Sequence, residues 1–367
     1  MRIAIFNWRC FRHPQAGGSE LYLYEQARRW ASQGHEVLWF TSRPSGTARE
    51  ETYDGIRFFR SGGTYTVYLF AVLNYFRQAQ VDVIIDVENG IPFFTPIYSR
   101  VPVVLLIYHI HTDVWAREAS WLTAKVGSWL ERKVMPAVYR RKPIVTISPS
   151  SAEMISQLFV VHQPIRMVYS GFSDELIPGE KAERPEVVYL GRLRKYKSVD
   201  VLLRAIHRLS DLSLTLRLAG QGEDEPRLRE LAASLGLTNV VFQGYVDDTD
   251  KMKLFQRAWV VVNPSRMEGW GITNIEANAC GTPVVGADVP GIRDSISPGQ
   301  SGLLVPHGDD KALADAIREL IVDEDRRSEM NRTSRAWADR FSWQAASEAF
   351  MKILEQEAAA ARGHNNE

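Results

Sequence analysis

Residues 259–288 read WVVVNPSRMEGWGITNIEANACGTPVVGAD. The stretch opens on a short apolar run rich in valine, passes through a loop holding Gly269 and Gly271, continues as a small-residue helical pattern and returns to an apolar run at TPVVGAD (282–288). Strand, helix and strand in that order require a parallel crossover, which is right-handed when it packs back on its sheet. The alternation extends outward from here. Upstream lie EVVYLG (186–191), LTLRLAG (214–220) and NVVFQG (239–244), each separated from the next by a helical pattern. An earlier series comprises RIAIF (2–6), HEVLWFT (35–41), VDVIIDV (81–87), VPVVLLIY (101–108) and PIVTIS (143–148), with a helix expected from about Ser19 to Gln33 and stopped by Gly34. Between the series, residues 171–184 (GFSDELIPGEKAER) are polar and carry Gly and Pro, as a linker does.

At 367 residues the chain exceeds the size at which one hydrophobic core stops growing. Two α/β domains with doubly wound parallel sheets are therefore expected, at 1–170 and 185–342 with the linker at 171–184 between them, and a C-terminal helix near 343–360 packing back on the first. In such sheets ligands bind beyond the carboxyl ends of the strands. The loops that follow strands are where chemistry belongs.

Formal net charge is zero, with 44 Lys and Arg against 44 Asp and Glu, which excludes a general nucleic-acid binder. The balance is uneven along the chain: residues 1–176 hold 19 basic against 15 acidic residues, so an anionic partner suits the first half better than the second. Cys10 and Cys280 are too few for a disulfide framework or a thiolate metal site, as in a reducing cytoplasm. The apolar run at the N-terminus is too short for a signal peptide, and no run approaches the length of a membrane span.

Four constellations carry chemistry. QAGGSELYLYEQARRW (15–30) places Gly17 and Gly18 before a helix that Ser19 is positioned to cap; the arrangement serves a phosphate at a helix N-terminus or simply a tight turn. YLGRLRKYKSVD (189–200) puts Arg192 and Lys197 in a loop after a strand, where they neutralise a diphosphate or are merely solvated. LLIYHIHTDVW (105–115) ends a strand with His109 and His111 on one side, either as hydrogen-bond donors to a substrate or as satisfied core residues; no third ligand at metal spacing accompanies them. In the opening stretch, Glu268 lies in the loop and Glu276 in the second turn of the helix. Carboxylates there accept well from vicinal hydroxyls, and a helix-dipole role explains one of them more easily than two.

These pieces, in this order, resemble the retaining glycosyltransferases of family 4, which have the GT-B fold of two Rossmann-like domains facing across a cleft. The likeness rests on NPSRMEGWGITNIEANACGTPVVGADVPGIRDSI (263–296), on the GRL…K loop, on LAGQGEDEPRLRELAASLGLTNVVFQGYV (218–246) and on SGLLVPHGDDKAL (301–313). It implies a nucleotide-diphosphate sugar, UDP- or GDP-linked, as donor, and a C-terminal domain that binds it. Glu276 would then hold the ribose hydroxyls and Glu268 the donor sugar. Arg192 and Lys197 would hold the diphosphate, with Gly17 and Gly18 facing it. His109 would touch the sugar hydroxyls, with His111 as its competitor, and Tyr245 and Val246 would lie at the base. Gly269, Trp270, Gly271, Ile272 and Thr273 complete the donor loop. Glu88 and Asn89, in DVENGIPFF (86–94), are acceptor-side candidates in the N-terminal domain. The resemblance implies no cofactor and no essential metal. Three departures stand out: Ser198 in place of the usual Gly, Asp294 where Glu is commoner, and ITN (272–274) in a stretch that is usually more aliphatic.

A glycan or lipid-linked acceptor, in polysaccharide or glycolipid synthesis, follows from the same likeness. Residues 113–142 combine seven Lys and Arg with Trp115, Trp121 and Trp129, and residues 64–76 (TYTVYLFAVLNYF) add apolar surface. Together they fit an anionic membrane surface, hence a cytoplasmic enzyme peripheral on the inner face of the cell membrane; helices packed on the sheet are the other reading. Two rivals share the architecture: a nucleotide-sugar 2-epimerase-like isomerase and a non-catalytic nucleotide-sugar-binding subunit.

Overall fold

The computed structural model describes residues 1–78, 80–110, 121–159 and 164–364, with backbone alone for 121–123, 363 and 364. It divides into two compact units, Met1–Ser170 with Trp343–Glu367 and Gly171–Ser342. Residues 171–184 thus cluster with the second unit.

The first unit is built on an eight-stranded sheet. Its strands are β1 (Arg2–Phe6), β2 (Glu36–Thr41), β3 (Glu50–Tyr53), β4 (Ile56–Arg60), β5 (Val83–Glu88), β6 (Val103–Ile107), β7 (Ile144–Thr146) and β8 (Arg166–Met167), in the order β3-β4-β2-β1-β5-β6-β7-β8. Every pairing is parallel except β3 with β4. Central strands such as β1 and β6 are buried almost throughout, because helices cover both faces. Ala4, Phe6, Leu38, Phe40 and Phe59 point into one core, to which Met135 and Tyr139 contribute from the short helix Met135–Tyr139.

The β3–β4 hairpin escaped the sequence reading. Its two-residue turn is Asp54-Gly55, both at positive φ (47° and 76°), the conformation that Asp-Gly favours between antiparallel strands. That dipeptide was the available signal.

The second unit holds β9 (Glu186–Leu190), β10 (Thr215–Ala219), β11 (Val240–Gly244), β12 (Val260–Asn263), β13 (Val284–Ala287) and β14 (Gly302–Val305) in the order β11-β10-β9-β12-β13-β14, all parallel. β14 was not expected as a strand. It pairs with β13 through Gly302, where a Cβ would come within 2.0 Å of the Val284 carbonyl. The chain order reverses between β9 and β12, which makes the carboxyl ends of those two strands the switch point. Arg192, Lys197, Glu268 and Glu276 all follow β9 or β12.

The last helix, Trp343–His364, returns to the first unit and lies against the helix Gly18–Ser32. Trp30 packs edge-on to Phe350 and donates from its indole nitrogen to the Ser347 carbonyl at 3.1 Å.

Candidate active site

In the second unit, β9 runs into Gly191 and Arg192, then a 3₁₀ turn Lys195–Lys197, then the helix Val199–His207. Tyr189 fixes the start of this loop by donating its hydroxyl to the Arg192 carbonyl at 2.9 Å. Close backbone approach fixes the rest. A Cβ on Gly220 would lie 1.9 Å from the Gly191 carbonyl, and one on Gly222 would lie 2.1 Å from that of Leu193, so neither position accepts a side chain. The glycines of LAGQG therefore seat the basic loop.

Following β12, the loop 264–271 leads to the helix Ile272–Ala279, with Gly271 in the left-handed region at its N-cap. The Arg266 amide donates to the Tyr196 carbonyl at 2.9 Å and so ties this loop to the basic one. Their side chains then meet: Lys197 Nζ donates to Glu268 Oε1 at 2.5 Å, with both groups largely buried. Burial pulls the Lys197 ammonium down, and Glu268 beside it more than offsets this, leaving its pKa above the ordinary lysine value. Gly291 supports Glu268 from behind, where a Cβ would approach the Glu268 carbonyl to 2.1 Å.

Glu276 is buried in the second turn of the helix Ile272–Ala279. Its Oε1 accepts from Lys251 Nζ at 2.8 Å, and Lys251 also meets Asp248 Oδ1 at 2.9 Å. Lys251 was missed from the sequence: it lies on a different helix, Asp248–Arg257, and no local pattern links it to Glu276. Tyr245 is exposed and Val246 partly so, ahead of that helix. Trp270 is buried with its ring edge-on to Phe341 at 5.2 Å, so its indole serves packing. Ile272 and Thr273 are half-buried at the first turn, beside Gly269 in the loop.

The ITN departure has a structural reason. Asn274 is buried, accepts from Asn263 Nδ2 at 3.0 Å and donates to Ser295 Oγ at 2.9 Å, bracing the helix against β12 and the short helix Ile292–Ser295. Ser198 adopts φ 51°, ψ 36°, which explains why glycine suits that position; its hydroxyl lies 3.1 Å from His307 Nε2. Asp294 lies in the same short helix as Ser295.

In the first unit, the expected Ser19 cap is corrected. The helix Gly18–Ser32 starts one residue earlier, with Gly17 as N-cap. Glu20 provides the capping contact instead, accepting the Gly17 amide on Oε2 at 2.8 Å. Its Oε1 accepts from Arg9 Nε and from Asn89 Nδ2, each at 3.1 Å. This buried carboxylate thereby joins the loops after β1 and β5 to the glycine turn. Glu at the third position after the turn was a legible capping-box signal that the sequence reading did not use. Ser19 instead offers its carbonyl to the Tyr108 hydroxyl at 2.7 Å.

Glu88, at the end of β5, is fully buried and accepts the Gly90 amide on Oε1 at 2.8 Å. Burial, with Asp86 adding to it, pushes its carboxyl up to about 8. His109 is half-buried just after β6; His111 lies outside the described residues. Among the described residues no group of three or more His, Cys, Asp or Glu side chains is disposed to hold a metal ion.

Two Rossmann-like units, the second with paired Lys and Glu at its switch point, define the GT-B class of glycosyltransferase. Residues 16–176 match the Glycosyltransferase Family 4 model and residues 174–337 the Glycosyl transferases group 1 model. The chain belongs to the family 4 glycosyltransferases. It is 36% identical over 197 residues to a D-inositol 3-phosphate glycosyltransferase of Saccharomonospora viridis, a match taking in 50% of this chain and 46% of that one. The chain thus spans about half the length of the curated relatives it matches in this way. Two solved structures share the fold over almost all of it. Sucrose-phosphate synthase from Thermosynechococcus elongatus superposes with a TM-score of 0.85 at 20% identity, covering 98% of this chain and 99% of that one. HepE from Anabaena, in complex with UDP-glucose, gives a TM-score of 0.78 at 20% identity, covering 97% and 100%.

Proposed function

We propose that this chain is a retaining glycosyltransferase moving a hexose-type sugar from a UDP- or GDP-linked donor to a glycan, glycolipid or lipid-linked acceptor in cell-surface polysaccharide or glycolipid synthesis. The observation that carries the reading is the Lys197–Glu268 contact at the switch point, with Glu276 in the second turn of the helix that follows. Arg192 and Lys197 supply fixed positive charge for a departing diphosphate, which is electrostatic preorganisation in a site without an essential metal. As the bond from the sugar C1 to the diphosphate oxygen breaks, the acceptor oxygen bonds to C1 on the same face. The acceptor proton passes to the departing phosphate oxygen, so no protein base is needed. Glu268 orients the sugar, Glu276 takes the ribose hydroxyls, and Glu88, Asn89 and His109 belong to the acceptor side and the sugar hydroxyls. The HepE complex with UDP-glucose supports a UDP-hexose as the first donor to try.

The test is a panel of nucleotide sugars followed by thermal shift, by donor hydrolysis and by NMR of the product anomer, with and without a chelator. A ligand at 100 times its Kd raises stability by about 2.7 kcal/mol. Retention of configuration unaffected by chelator is the expected result. Release of an altered free sugar without any acceptor would replace the reading with an isomerase, and donor binding without any turnover would leave a non-catalytic binding subunit.

The reading extends to a membrane surface. On the helix Val67–Phe76, Leu69, Phe70, Leu73 and Phe76 are exposed together with Tyr65 just ahead of it, while only Val67 and Ala71 are buried. Val126 and Trp129 are exposed on the helix Trp121–Trp129; the remainder of 113–142 up to residue 120 lies outside the described residues. Among the described residues no helix is long and apolar enough to cross a membrane. Cosedimentation with anionic liposomes at low salt, lost in Leu69→Glu with Leu73→Glu, is the expected outcome; failure of the wild-type chain to sediment removes the membrane from the proposal.

A further inference from the structure

Lys251 belongs to no motif and has no role in the reading above, yet it is the one side chain hydrogen-bonded to Glu276 among the described residues. Its two acidic partners differ sharply. Glu276 is 6% exposed at its side chain and Asp248 91%, so the ammonium is anchored on the buried acid while the other partner is in water. The Lys251 amide donates to the Asp247 carbonyl at 2.8 Å, and Asp247 caps the helix by accepting the Asp250 amide, so the lysine is carried on a firmly started first turn. That turn directly follows Tyr245 and Val246.

We propose that Lys251 is a positioning residue for nucleotide recognition, holding the Glu276 carboxylate turned so that its second oxygen meets the ribose diol. The inference rests on the ribose role given to Glu276. A carboxylate has about four lone-pair directions. Lys251 takes one of them on Oε1, and Oε2 makes no hydrogen bond to a described residue. Without the lysine, a buried carboxylate is left uncompensated and turns away rather than receiving two hydroxyls. Lys251 thus acts through Glu276 and needs no contact with the nucleotide itself.

The experiment measures binding of UDP and GDP, and of their 2′-deoxy and 3′-deoxy forms, by calorimetry to the wild-type chain and to Lys251→Met, Lys251→Arg, Asp248→Asn and Glu276→Gln. In the wild type the ribonucleotide binds at least about tenfold more tightly than the deoxy forms, the size of one charged hydrogen bond. Lys251→Met removes most of that preference while leaving affinity for the deoxy forms within about twofold, which also shows that the site is folded. Lys251→Arg and Asp248→Asn keep the preference, and Lys251→Met combined with Glu276→Gln is no worse than Glu276→Gln alone. A preference that Glu276→Gln abolishes and Lys251→Met leaves intact overturns the role of Lys251. A preference that survives Glu276→Gln overturns the ribose reading itself, and the inference with it.

Discussion

Each unit sets two acids at or after the carboxyl end of a parallel strand, and the two pairs are met in opposite ways. In the second unit Glu268 and Glu276 each face a lysine, at 2.5 and 2.8 Å. In the first, the hydrogen bonds that Asp86 and Glu88 accept from described residues at the end of β5 come from neutral donors. Asp86 accepts from the Phe93 and Thr95 amides at 2.9 Å, the Thr95 hydroxyl at 2.7 Å and the Tyr139 hydroxyl at 2.5 Å, and Glu88 accepts from the Gly90 amide. Burial raises the pKa of both Asp86 and Glu88. Lysine partners bring positive charge up to the carboxylates, which suits the anionic donor proposed above. Hydroxyl and amide partners bring no counter-charge and hold a carboxyl in place by hydrogen bonds alone, which suits a scaffold shaping the loop 89–95.

The comparison breaks first at Asp86. Asp86→Ala strips partners from two buried amides and two buried hydroxyls, and is expected to destabilise the chain by about 4 kcal/mol, each stranded group costing about 1–3. Asp86→Asn, which keeps an acceptor oxygen and needs no counter-charge, should cost less than half as much. Denaturant unfolding measures both. Equal losses would mean that the charge of Asp86 matters, and that the two units do not differ as described.

Next in size is Lys197→Met. Removing the cation that faces Glu268 is expected to lower kcat for sugar transfer by about 10²–10³, in the range for loss of one preorganised charge stabiliser. Steady-state kinetics on the donor found by screening provides the check. A change confined to KM would move Lys197 from the reacting end of the donor to a binding role.

The two sites differ as well in how far the sequence exposed them. Strand alternation exposed the central parallel strands, because fully covered ones such as β1 and β6 read as unbroken apolar runs, while β4, β8 and β14 went unread. The edge hairpin β3–β4 is less regular, with β3 mostly exposed, and only its Asp-Gly turn announced it. Glu268 was legible beside Gly269 and Gly271, and Lys197 as one of the basic residues in the loop that follows β9. Lys251 was not, since its contact with Glu276 joins two helices 25 positions apart and leaves no periodic trace. Glu20 fell between these cases: the capping pattern was local, but its contacts with Arg9 and Asn89 exist only once β1 and β5 lie side by side.

A third test sharpens the contrast through pH. The Glu88 carboxyl is raised to about 8, chiefly by burial with Asp86 nearby, and Tyr68 also faces it. With its folded pKa above the unfolded one, the folded chain binds the extra proton between the two values, so Glu88 weakens the fold as pH rises from about 4.5 toward 8, by up to about 1.4 kcal/mol per unit. Glu88→Gln should flatten that part of the stability profile, with the greatest gain over wild type near pH 8. Thermal unfolding from pH 5 to 8 reads it; parallel profiles for the two proteins would show that burial does not raise the Glu88 carboxyl in the fold.

The smallest effect is expected where the second unit departs from its family, at Ser198. A non-glycine residue in the left-handed region costs about 1–2 kcal/mol, and here the serine hydroxyl regains part of that through His307 at 3.1 Å. Ser198→Gly relieves the strain, loses the hydrogen bond and gains unfolded-state entropy, three contributions of about 1 kcal/mol that do not share a sign, so stability should stay within about 0.5 kcal/mol. Ser198→Ala keeps the strain and loses the bond, and should be less stable than Ser198→Gly by about 1 kcal/mol. Lys197 is held in place by Glu268 and by the Arg266–Tyr196 backbone bond, so kcat should fall less than about threefold in Ser198→Gly. A loss as large as that of Lys197→Met would mean that the lysine owes its place to the backbone at 198 and not to the acid that faces it, and the contrast between charged and neutral partners would no longer account for the second site.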